Sequence, residues 1–222
     1  MRPSEWVIVG DNTTRWLEDT VLPPFTKVLE CSDIRQATKK NLAIDKSSAE
    51  YIVVIDSDQE AQPGLVEQCV KKAKQGYRAV TIPEVFQKPT SYLQKCYYFV
   101  RTVYAQNVEG IPRFFRREDM LEEKFNVDFH YAEDPELWSR LKVRTGEPAV
   151  IEDNLVHKEK FSLLYNSKKV RMAAKAQRRM KVGSTNAPKR VSVGKMLKEA
   201  PLVLLPGVLI ILMLRIIARR IP

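Results

Sequence analysis

Hydrophobic positions along the chain fall into two alternating patterns. Trp6-Val7-Ile8-Val9 and Tyr51-Ile52-Val53-Val54-Ile55 are short continuous apolar runs, the latter rich in β-branched residues, and Phe25–Leu29 reads as a further strand. Runs of that length read as strands covered on both faces, as in parallel sheets. Between and after them the spacing turns helical. Ile34, Ala37, Leu42 and Ile44 mark a helix between Ser32 and Ser48, and Leu65, Val66, Cys69, Val70 and Ala73 mark another from Pro63 to Gly76. Gly10–Thr14 reads as a turn whose Thr caps a short helix over Arg15–Thr20. Further on, Arg78–Pro83, Ile111–Phe115 and Val150-Ile151 read as strands, while Ser91–Asn107 and Asp134–Val143 read as helices. Strands alternating with helices predict an α/β fold: a mostly parallel sheet with helices on both faces.

Charge divides the chain unevenly. Its 222 residues carry a formal net charge of +10, yet residues 1–157 are mildly acidic and residues 158–222 hold 16 Lys/Arg against two acids. The chain is therefore an acidic domain with a basic tail. The basic stretch lacks interleaved aromatics beyond Phe161 and Tyr165, so nucleic acid is not the expected partner. Residues 200–218 are apolar except for Arg215. Beside so many cations they predict a membrane-anchoring helix, a transmembrane span or an interfacial one. The expected domains are 1–160 catalytic, 161–199 basic and juxtamembrane, and 200–218 hydrophobic. The location follows: membrane-associated, with the catalytic domain on the cytoplasmic side. Three scattered cysteines without a CxxC pair exclude a disulfide framework or zinc ribbon.

Chemistry concentrates where the third strand ends, in Asp56-Ser57-Asp58. The carboxyl ends of parallel strands are where open α/β sheets place ligands. Two neighbouring carboxylates favour a hard divalent cation such as Mg²⁺ or Mn²⁺ between them and a diphosphate. Glu133-Asp134 opens a predicted helix, where it either caps the helix or supplies a general base.

The segment from Glu50 to Leu65 resembles the DxD region of family 2 glycosyltransferases, which have the GT-A fold. Further resemblances follow in order along the chain. Trp6–Thr14 is similar to the family's second strand, whose terminal acid, here Asp11, lies near the nucleotide base. Lys39-Lys40-Asn41 falls where the family has a basic residue and Asn. Pro112–Glu118 resembles the strand and basic segment before the acceptor region, and Ala132–Leu141 resembles the "ED" motif. The resemblance implies that Asp134 is the catalytic base, oriented by Glu133. It also implies that Asp56, Asp58 and His157 hold the metal, and that Asp11, Lys40, Asp56 and Arg117 bind the donor. The implied activity is a membrane-associated, inverting transfer of sugar from a nucleotide-diphospho-sugar to a hydroxyl on a lipid-linked or cell-surface glycan. A polyprenyl-phosphate glycosyltransferase and a catalytically impaired partner subunit are the alternatives. The family usually begins one strand and helix earlier than Trp6, so the same resemblance leads us to expect a partner chain completing the sheet or a longer parent protein.

Overall fold

The computed structural model describes residues 3–11, 15, 17, 19–106, 110–159, 161, 162, 166–172, 174 and 192–220. Residues 12–14, 16 and 18 of the predicted turn and short helix, and much of the basic segment, lie outside these. The chain divides into two compact units, one built from residues 1–56, 62–82 and 111–153, the other from 57–61, 83–110 and 154–222.

In the first unit, β1 (Trp6–Gly10) and β2 (Thr26–Glu30) form a parallel pair in the register Trp6↔Thr26 to Gly10↔Glu30. A four-stranded sheet follows in the order β3-β7-β5-β8, where β3 is Tyr51–Val53, β5 Ala79–Thr81, β7 Phe114–Arg116 and β8 Ala149–Val150. The α/β class is the expected one, but the sheet is mixed. Strand β5 runs parallel to β8, whereas β7 is antiparallel to both β3 and β5.

The helices of this unit are α1 (Gln36–Lys46), α2 (Leu65–Lys74), α4 (Arg117–Glu122) and α5 (Glu133–Thr145). Inner positions of α1, α4 and α5 meet the sheet in a core of Ala37, Ile44, Ala79, Phe115, Met120, Phe125, Leu137, Trp138 and Leu141. Helix α2 begins at Gly64, whose φ of 92° is left-handed and where a Cβ would lie 2.9 Å from the Asp153 carboxylate. Only glycine meets both demands without strain.

The second unit holds a three-stranded sheet, β4-β9-β6, of Gln59–Ala61, Leu155–His157 and Glu84–Phe86. Strand β9 is antiparallel to β4 and parallel to β6, which sets His157 between Gln59 and Phe86. Helix α3 (Tyr92–Gln106) packs on the C-terminal helices α6 (Val193–Glu199) and α7 (Leu205–Arg220), the latter two joined through a 3₁₀ turn at Leu202–Leu204. Cys96, Tyr97, Val100 and Val103 of α3 meet Met196, Leu204, Val208, Ile211 and Leu212 in a separate core.

That packing corrects the expected membrane anchor and, with it, the expected membrane location. Among the described residues no helix is long and apolar enough to cross a membrane. At 1.5 Å per residue the 16 residues of α7 reach about 24 Å, short of the ~30 Å hydrocarbon core. Its inner face is a core face instead. Gly207 lies against α3 so closely that a Cβ there would clash with Cys96 Sγ and lie 2.8 Å from the Tyr92 ring. The Tyr92 hydroxyl donates to the Val203 carbonyl at 2.9 Å and accepts from the Gly207 N–H at 3.3 Å, pinning the start of α7. Met213 and Ile217, on other positions of α7, are exposed.

Candidate functional site

The chemistry of the first unit gathers where β3 ends. The Val54 N–H bonds the Arg113 carbonyl at 2.8 Å, so the residues after β3 run beside those before β7 and bring Asp56 next to Arg113. Helix α1 contributes Lys40, and the start of α5 contributes Glu133 and Asp134. Lys40 Nζ donates to Asp134 Oδ1 at 2.7 Å and to Glu133 Oε1 at 3.0 Å, and lies 3.5 Å from Asp56 Oδ1. Arg113 Nη1 donates to Asp56 Oδ2 at 3.0 Å and lies 3.5 Å from Asp134 Oδ2. Three carboxylates thus share two cations, and the Phe125 ring lies 5.2 Å from the Lys40 ammonium.

Burial sharpens this balance. The Lys40 side chain is 9% exposed, which by itself would lower its pKa, but Asp134, Asp56 and Glu133 outweigh burial and raise it. Glu133 moves the other way. Burial raises its pKa, reinforced by Asp134 and opposed by Lys40. A helix N-terminus favours the ionised carboxylate, and Asp134 stands in that first turn. Neither acid is the N-cap. That position belongs to Ala132, in the left-handed region at φ 67°, with no side-chain cap. A non-glycine residue there costs about 1 kcal/mol, and the turn it makes aims the Glu133-Asp134 pair at Lys40.

The second unit holds a separate polar group. His157 Nε2 lies 3.1 Å from Asp58 Oδ2, and His157 Nδ1 lies 3.5 Å from Glu84 Oε2. The ring stacks on Phe86 with centroids 5.7 Å apart. Burial alone would lower the His157 pKa, but the hydrogen bonds to Asp58 and Glu84 prevail and raise it to about 9. Asp58 is lowered in turn, chiefly by its bond to His157. The Lys158 N–H bonds the Asp58 carbonyl at 2.7 Å, fixing the loop before β4 to the end of β9.

Of the residues singled out from the sequence, Lys40, Asp56, Glu133 and Asp134 come together, and Asp58 meets His157. Asp11 is exposed in a bend after β1. Arg117 turns elsewhere, its Nε donating to Ser47 Oγ at 3.1 Å. Two residues had no signal of their own. Arg113 reaches the cluster only through the β3–β7 pairing, and Glu84 reaches His157 only through the β6–β9 register. Among the described residues no three His, Cys, Asp or Glu side chains are grouped to hold a metal ion. Asp58 and His157 bring one carboxylate oxygen and one imidazole nitrogen together.

Fold and residues together define a GT-A-like glycosyltransferase domain. The chain belongs to glycosyl transferase family 2, whose sequence profile matches residues 11–131. No curated protein matches it. Among solved structures it is similar to S. aureus TarS 1–349, at 14% identity and TM-score 0.50, covering 92% of this chain and 61% of that one. TarS 1–349 in complex with UDP-GlcNAc matches at 13% identity and TM-score 0.50, over 92% and 62% of the two chains. A longer TarS structure matches at 12% identity and TM-score 0.51, over 92% of this chain and 37% of that one. The present chain thus spans about three fifths of TarS 1–349. At such identities the likeness establishes the fold alone.

Proposed function

We propose that the chain is the donor-binding and catalytic part of an inverting glycosyltransferase that moves a sugar from a nucleotide-diphospho-sugar to an acceptor hydroxyl. The observation that carries this reading is the Lys40–Asp134–Arg113–Asp56 cluster at the end of β3. In the reaction the acceptor oxygen attacks the anomeric carbon, its proton passes to an Asp134 carboxylate oxygen, and the bond from that carbon to the diphosphate breaks with its electron pair. Lys40 and Arg113 hold the Asp134 carboxylate between them, so its contribution comes from placement. Glu133 shares Lys40 and orients the pair.

A divalent cation would be held by Asp58 and His157; when bound it would supply positive charge to the departing diphosphate. The UDP-GlcNAc complex of TarS supports a UDP-sugar as the donor to test first. A retained base favours a hydroxyl acceptor, on a glycan, over a phosphate, which needs no deprotonation.

Calorimetric titration of UDP and UDP-GlcNAc, with and without Mn²⁺, tests it. Binding that needs Mn²⁺ and is lost in Asp58→Ala is the expected result. A folded chain that binds neither ligand in either condition overturns the reading.

A further inference from the structure

Helix α7 has two apolar faces, and one of them meets α3. Val208, Ile211 and Leu212 are buried in the core shared with that helix. Arg215, the single charged residue from Leu205 to Ala218, turns the same way and lines a cleft with Tyr97 and Phe161. The opposite face consists of Leu209, Ile210, Met213, Ile216 and Ile217, all exposed. At about 100° of turn per residue these five fall within about 60° of Met213 on either side, a stripe as wide as one that normally faces a core. Pro206, also exposed, continues it toward the start of the helix.

Two properties of the stripe say what it faces. The first is its period. Pro206, Leu209-Ile210, Met213 and Ile216-Ile217 recur in alternating steps of three and four residues, the spacing that keeps a seam turned toward another helix. The second is its symmetry. Exposed apolar residues stand three and four positions from Met213 in both directions, Ile210 and Ile216, then Leu209 and Ile217. The stripe therefore reads the same toward either end. An antiparallel copy of α7, turned about a two-fold axis at Met213, sets Met213 against Met213, Leu209 against Ile217 and Ile210 against Ile216. The antiparallel arrangement also places each helix N-terminus near the other's C-terminus, where the dipoles attract.

Charge and area agree with a second copy. The stripe from Leu209 to Ile217 carries no ionisable side chain, so two copies bring no like charges together along it despite the basic tail. An acidic or basic partner would be singled out by charges that the stripe lacks. Met213 is 60% exposed and its four neighbours between 41% and 52%. Together they present roughly 500 Å² per copy, so a pair buries about 1,000 Å², the size at which a specific interface begins.

We propose that the outer face of α7 is the interface of a dimer of this chain, an antiparallel helix pair closed by a two-fold axis at Met213. The inference goes beyond the proposed function and rests on α7, not on the chemistry at Asp134. A two-fold pair uses each stripe once, so assembly stops at two copies.

Sedimentation equilibrium on the full chain tests this. An interface of this size should leave mostly monomer near about 1 μM and give mostly dimer near about 100 μM. Met213→Lys sets two ammonium groups face to face at the axis, so it should weaken the dimer about tenfold or more. Its melting temperature as a monomer should not move, because residue 213 is already exposed. Val143→Lys, on an exposed position of α5, should leave the dimer as it is. Cross-linking reads the orientation, in a Cys31→Ser background. Met213→Cys should be joined chain to chain by a bis-maleimide of about 8 Å reach, which matches the spacing of packed helix axes. Leu202→Cys is more exposed, yet in the antiparallel pair its two copies stand about 30 Å apart along the axis and should not be joined. A monomer at every concentration overturns the proposal, in favour of lipid if that monomer floats with phosphatidylcholine vesicles. A dimer that Met213→Lys leaves intact places the interface elsewhere and overturns it. Equal joining at residues 202 and 213 overturns it as well.

Discussion

Lys40 is the residue on which the candidate site turns. It holds two carboxylates by direct hydrogen bonds and a third at 3.5 Å while almost wholly buried. Removing one member of such a group strands the others, so Lys40→Met should lower unfolding stability by about 3 kcal/mol in chemical denaturation. By contrast, Lys124 and Asp45 form a surface pair at 2.6 Å with both side chains more than two-fifths exposed. Lys124→Ala should change stability by about 0.5 kcal/mol or less. Asp134→Asn keeps the shape and leaves Lys40 paired with Glu133 and Asp56, so the fold should survive. Turnover should fall about 10²-fold or more with donor affinity nearly unchanged, measured by steady-state kinetics alongside calorimetry. The three acids were legible in the sequence because a strand end and a helix start are local signals. Lys40 was legible only as a basic residue near the donor, since nothing local shows that α1 faces the start of α5. Arg113 was not singled out, because strand pairing is a long-range fact.

At the level of elements, the helices of several turns and the strands of the first unit were readable, and the strands of the second unit were not. The helices at Gln36–Lys46, Leu65–Lys74, Tyr92–Gln106 and Glu133–Thr145 carry enough turns to show a period. Strands β4, β6 and β9 have three residues each, too few for alternation to register, and Gln59-Glu60-Ala61 is not apolar. Helix α7 shows a different failure: an apolar run has the same composition whether it faces lipid or another helix, and the close approach of Gly207 to Cys96 and Tyr92 is invisible in one dimension. Gly207→Val should therefore push α7 off α3 and cost about 1–3 kcal/mol, read as a lower melting temperature. Glu5, just before β1, has a pH signature. Burial would raise its pKa, but Lys27 and the N–H groups of Ser48 and Ala49, with the Ser48 hydroxyl, hold it down at about 2 against an ordinary 4.5. A depressed carboxylate stabilises above its unfolded pKa and loses that contribution as pH falls through the folded one. Thermal melts at about pH 5 and about pH 3 should show wild type converging on Glu5→Gln at the acid end.

For the whole molecule, the division into two units was not readable, because each is assembled from three separated stretches of chain. Local periodicity reports neighbours in sequence, and these units are made by returns from afar. The acid and basic halves of the sequence do not coincide with them either, since the second unit takes in Ser57–Ala61 and Pro83–Gly110 along with the basic tail. A donor that binds only the folded chain should stabilise it by mass action. At a hundredfold excess over its dissociation constant the gain is about 2.7 kcal/mol, checked by melting with and without UDP.

Each unit also encloses a free thiol of its own, Cys69 in the first and Cys96 in the second, both buried. Burial pushes the Cys69 thiol up to about 12 and raises Cys96 as well, so both are protonated and poorly nucleophilic in the folded chain. An alkylating reagent can reach them only when the surrounding unit opens. Cys31 is only partly covered, so it should react early. The two remaining alkylation rates, separated by peptide mass, then clock the opening of each unit in one unmodified sample.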